Sequence, residues 1–108
     1  METRDWSARH FLMPLPSLPE NFHVRGEVLV SCPGFEAQLL AKQPQGINPA
    51  ILLLDLHLVQ KPGAWPQVMT WAQAKYDKNI SPKPGTYEAV EVFSGEECVA
   101  SIKVQEVK

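Results

Sequence analysis

Asp55 and His57 are the residues whose types and spacing most directly suggest chemistry. In an extended segment they point the same way, about 7 Å apart along one face. A carboxylate beside an imidazole is half of a metal site, or a base with its orienting acid. No nucleophile or third ligand lies near them in the chain, so the plainer reading is a local charge pair on a partly exposed face.

Trp65 stands between Gly63 and Pro66 in a stiff loop. An indole held there can anchor a partner protein or a sugar ring, or fold back and plug the end of the domain. Glu96 and Glu97 offer polar contacts near the same end, or are two solvated turn acids. Two cysteines are too few for a disulfide scaffold or, alone, for a structural zinc site. Cys32 and Cys98 both read as inward-facing at one end of the domain, by default as small hydrophobes, with a disulfide geometrically possible if the first and last strands lie close. Neither has a basic neighbour in sequence to make a reactive thiolate. His10, His23 and His57 show no ligand spacing, so no metal or cofactor is expected. A Gly-rich phosphate loop, a nucleophile elbow and a Cys/His constellation are all missing, and the chain reads as non-catalytic.

The element that must position these groups is the run Ile51–Gln60, the densest apolar stretch in the chain. At a period of two, Leu52, Leu54, Leu56 and Leu58 share one face, each contributing roughly 1.5–3 kcal/mol if fully buried. Ile51, Leu53, Asp55, His57 and Val59 share the other. That second face is too apolar for an edge strand bathed in water, so another segment or another chain is expected to cover part of it. Pro49 and Lys61-Pro62-Gly63 fence the run to strand length.

Around it, Phe22–Cys32 alternates as a half-buried strand, with Gly26 marking a bulge. Phe35–Lys42 and Gln67–Tyr76 read as further strands. Thr86–Phe93 and Cys98–Val107 form a hairpin through Ser94-Gly95-Glu96-Glu97. The ten prolines fall between the apolar runs. If successive strands run antiparallel, the Pro33-Gly34 turn, the Trp65 loop and the Ser94-Gly95 turn share one end, and the loops around Asn48 and Asn79 the other. Residues 1–21 carry no clean period. Ser7–Met13 suggests a short helical turn, and the proline-rich stretch from Met13 to Pro19 an extended arm. Its apolar residues suit three uses: an arm strapped over its own sheet, an arm reaching a second subunit, or a ligand for a proline-binding module. The chain therefore reads as an N-terminal arm, 1–21, and a single β-sandwich domain, 22–108. The fold class is all-β: an antiparallel sandwich or small barrel of about six or seven strands.

Pro84-Gly85-Thr86-Tyr87-Glu88-Ala89-Val90 resembles the entry to the penultimate strand of immunoglobulin-like modules, where a tyrosine corner sits. Trp71 is similarly placed to their core tryptophan. The likeness covers roughly the last half of the chain. Ala89 stands where an immunoglobulin domain has its second cysteine, and Asp77–Gly85 is too short for two more strands. The resemblance implies a binding or structural module, with Tyr87, Trp71, Leu54 and Leu56 in structural roles.

Net charge is −2 and the basic residues are scattered, which argues against nucleic acid as a partner. No apolar run approaches the ~20 residues that span a membrane, and the charged N-terminus shows no signal-peptide core, so the chain reads as cytoplasmic. The function expected is binding another protein, or a second copy of itself, through the sheet face and the arm. Two alternatives remain: a carbohydrate- or small-ligand-binding sandwich using Trp65, and an enzyme inhibitor presenting Pro-bracketed loops.

Overall fold

Alternating inward and outward side chains build seven strands in the computed structural model, which describes residues 1–13 and 20–107. They are β1 (Thr3–Phe11), β2 (Phe22–Val30), β3 (Phe35–Ala41), β4 (Ile51–Gln60), β5 (Thr70–Lys78), β6 (Ala89–Ser94) and β7 (Glu97–Val107). They form one sheet in the order β3-β4-β6-β7-β1-β2-β5, curled nearly into a barrel. The described residues contain no helix, and so none long and apolar enough to cross a membrane. Successive strands alternate in direction, but the spatial order makes β4–β6 and β7–β1 parallel pairs. The Pro33-Gly34 turn, the Trp65 loop and the Gly95 turn share one end, as the alternation requires. Asn21 and Ile80, joined by two reciprocal hydrogen bonds of 2.8 Å, tie the other.

The core gathers the inward face of every strand. Leu52, Leu54 and Leu56 of β4 meet Val90 and Val92 of β6, Ile102 and Val104 of β7, and Val24 and Val28 of β2. Leu58 continues the leucine face, yet is 39% exposed, because β4 runs past the last residue that β6 pairs with, Asp55. The second face of β4 is partly covered from within the chain. Gln45 hydrogen-bonds both the N–H and the C=O of Leu53 at 2.8 Å, and the Gly46 backbone lies against the Leu53 side chain. The hairpin β6–β7 turns through Gly95 at φ 64, a left-handed geometry that suits glycine.

Three details differ from the sequence reading. Residues 7–11, read there as a helical turn at the base of an arm, lie in β1, which sits inside the sheet between β7 and β2. The proline-rich stretch from Pro14 to Pro19 lies outside the described residues. The bulge is on β1, not at Gly26: Arg4 pairs with Glu27 and Ser7 with Arg25, so Asp5 and Trp6 together face Gly26. Asp5 takes the left-handed conformation at φ 56, which a short polar side chain tolerates better than most. This turns the Trp6 indole onto the Gly26 backbone, where a Cβ would overlap the ring. Trp71 is not a core residue. It points outward from β5, beneath the Arg4 guanidinium, 3.9 Å from the ring centre, while Ala72 and Ala74 face inward. Tyr87 does reach the core, its ring 5.5 Å from that of Phe22.

Gly26→Ala is expected to lower unfolding stability by about 1–3 kcal/mol in urea titrations, the cost of overpacking. In a Trp6→Leu background the same change should cost at least about 0.5 kcal/mol less, because the overlapping ring is gone.

Candidate functional site

The sequence-derived candidates do not converge. Asp55 is half-buried on the outer face of β4 and accepts a hydrogen bond from Lys42 Nζ at 3.3 Å. Its partner is a lysine reached across the β3–β4 ladder, not the imidazole two residues along its own strand. His57 is exposed on the same face, cross-strand from Gln38. Trp65 folds back: its indole lies against the Gly34 backbone and its Nε1–H donates to the Lys61 carbonyl at 3.2 Å. Glu96 and Glu97 are exposed at the β6–β7 turn.

Cys32 is buried and Cys98 exposed, both as free thiols. The inward reading of Cys98 fails because of a register shift in the hairpin. Phe93 pairs with Cys98 but Val92 pairs with Ala100, so Val99 is the extra residue that packs inward. Cys98 then shares the outward side of Phe93. The histidines are also dispersed. His10 is fully buried, edge-on to Phe22 at 6.2 Å, and neither ring nitrogen has a hydrogen-bond partner among the described residues. His23 faces outward from β2. No group of three potential metal ligands occurs among the described residues.

Two constellations do form. The first is a seam. β3 and β5 are the two edges of the sheet; they run the same way and lie side by side with no ladder between them. A cleft of about 500 Å³ follows this seam, lined by Glu36, Gln38, Leu39, Leu40, Gln73 and Lys75, and a second of about 250 Å³ continues past Phe35 and Trp71.

The second constellation is on the outer face of β1, β2 and β5, where register brings His23, Arg25 and Asp77 together. Asp77 Oδ1 accepts from His23 Nδ1–H at 2.6 Å and from the Arg25 guanidinium at 2.7 Å. Arg25 also donates to the Val24 carbonyl at 2.9 Å. His23 Nε2 lies 3.0 Å from the Glu20 carbonyl oxygen. Both oxygens are acceptors only, so the ring satisfies both contacts at once only with both nitrogens protonated. Partial burial pushes the Asp77 carboxyl up, but the Arg25 and His23 hydrogen bonds and charges outweigh it and hold the group below its ordinary value of 3.8. Sequence reasoning missed this cluster because its members come from residues 23, 25 and 77. The polar side of the β2 alternation was the one local signal.

Comparison with protein-family profiles, with curated proteins and with solved structures gives no match.

A carboxylate whose folded value is depressed stabilises the fold above its unfolded value, and that contribution is lost as pH falls through the folded value. Asp77→Asn is therefore expected to cost about 1 kcal/mol at pH 5, a figure kept small by the partial exposure of the cluster. The difference from the unmodified chain should shrink steadily below about pH 4, as read from thermal or urea unfolding across pH.

Proposed function

We propose that this chain is a non-catalytic protein-interaction module that pairs with a second copy of itself through the outer face of the β3–β4 ribbon. The observation that carries this reading is the distribution of surplus apolar surface. Leu40 on β3 is 53% exposed beside the open seam. Leu58 and Val59 at the end of β4, and Val68 and Met69 leading into β5, are exposed at the end where the Trp65 loop joins the two strands. Exposed apolar side chains are ordinary when scattered, but gathered around unpaired strand edges they suit an interface. A two-fold pairing would cover the same patch on both copies. At Asp55 and His57, the one pair whose residue types suggested chemistry, the carboxylate is engaged by Lys42 rather than by the imidazole.

An immunoglobulin-like origin belongs to the same proposal. The grouping β1-β2-β5 is that of the A, B and E strands of such sandwiches. The parallel β4–β6 pair, where that fold sets its third strand beside the sixth, departs from it. Two free thiols suit a reducing compartment such as the cytoplasm. The sugar-binding alternative has less support, since Trp65 already uses its N–H and one ring face within the chain.

Sedimentation of the full chain tests the pairing. A concentration-dependent dimer is expected, weakened about tenfold or more in a Leu40→Lys, Val59→Lys double variant. A chain that stays monomeric at all concentrations, or a double variant that associates equally well, overturns the reading. Removing residues 1–21 is the wrong control, because it deletes β1 from the middle of the sheet.

A further inference from the structure

Beside the Asp77 cluster is an open cleft of about 420 Å³, lined by Ser7, Arg9, Phe11, His23 and Arg25. Register explains the set. Arg9 pairs with His23 and Ser7 with Arg25 across the antiparallel β1–β2 ladder, so all four share the outer face, with Phe11 next along β1. Directly paired side chains there start about 5 Å apart and diagonal ones about 7–8 Å, which brings both guanidinium groups within reach of one small ligand.

Exposed arginines usually end in water. Five features set these apart. No acid lines the cleft, although Arg9 and Arg25 are like charges set diagonally. The neighbouring charges do not cancel them: Glu27 is taken by Arg4 at 3.3 Å, Lys75 beside Arg25 adds a cation, and Gln105 beside Arg9 is neutral. The acid nearby, Asp77, is spent on fixing His23 and Arg25, so both are held in place. Arg9 itself makes no hydrogen bond or ion pair among the described residues, and its guanidinium carries five N–H donors. Finally, the Phe11 ring stands edge-on to His23 at 5.7 Å and gives the cleft one apolar wall.

We propose that Arg9, Arg25 and Ser7 form a carboxylate-binding site whose ligand lays an apolar ring along Phe11. A planar carboxylate takes two parallel N–H bonds from the Arg9 fork, and the Ser7 hydroxyl and the free N–H groups of Arg25 meet its remaining lone pairs. Beside the cleft Asp77 engages the Arg25 guanidinium and leaves the Arg9 fork to one anionic group. The cleft volume is at the low end of small-ligand sites. The carboxylate has two sources, a free aromatic acid or the C-terminus of a short peptide. This site does not depend on the self-pairing reading, which uses other strands.

Titration of the isotope-labelled full chain with benzoate and with N-acetylphenylalanine, followed by amide and arginine side-chain NMR, tests it. Saturable shifts confined to residues 7–11 and 23–25 are expected, with half-saturation on the order of a few millimolar. The tighter of the two probes identifies the source. Arg9→Gln, on an exposed side chain, should leave the rest of the spectrum unchanged and weaken binding about tenfold. Benzyl alcohol should cause no shifts. Linear shifts scattered over the surface, binding unchanged in Arg9→Gln, or inorganic phosphate binding more tightly than either acid overturns the proposal.

Discussion

The sheet holds together at β7, whose two halves serve different neighbours. Its first half, Glu97 to Lys103, pairs antiparallel with β6; its last residues, Val104 to Val107, pair in parallel with β1. Without the second contact the sheet divides into β3-β4-β6-β7 and β1-β2-β5, each with two free edges. With it, the two half-sheets face each other over one core and share Val24, Leu54, Val92 and Val104. The short parallel ladder is reinforced where the chain leaves β1, by the Leu12 N–H donating to the Val107 carbonyl at 2.8 Å.

That junction also fixes where the sheet stays open. Joining the halves through β7 and β1 leaves β3 and β5 to meet on the far side, running in the same direction without a ladder. Backbone donors and acceptors along both edges are then left for water or a partner. Leu40 is exposed beside that seam, and Leu58, Val59, Val68 and Met69 at the end carrying the Trp65 loop, while the cationic cleft lies on β1 and β2. One topological choice thus separates two kinds of surface: an edge-bearing one along β3 and β5, and a polar, pre-arranged one on β1 and β2.

Much of this was legible in the residues. Period-two alternation located β2, β3, β4 and the β6–β7 hairpin, and direction alternation assigned the loops to their ends. β1 was not legible because the bulge at Asp5-Trp6 shifts its period: Arg4 and Ser7, three apart, face the same way. A strand that changes face midway carries no alternation to read. Trp71 misled for a different reason. The immunoglobulin-like resemblance suggested a core tryptophan, but register put alanines inward and left the indole to an arginine from β1. The candidate sites divide along the same line. Asp55 and His57 are close in sequence and were visible, whereas the groups that determine chemistry around them and around Arg25 arrive from other strands. Lys42 reaches Asp55, and Asp77 reaches His23 and Arg25, through pairings that no local pattern encodes.

The junction is tested most directly by amide hydrogen exchange on the chain at concentrations where it is monomeric. The account predicts that the paired amides of Ala8–Phe11 and Val104–Val107 exchange only through global unfolding, while the seam-facing amides of β3 and β5 exchange orders of magnitude faster. Fast exchange along the β1–β7 ladder, or equal protection on the facing edges of β3 and β5, would contradict it.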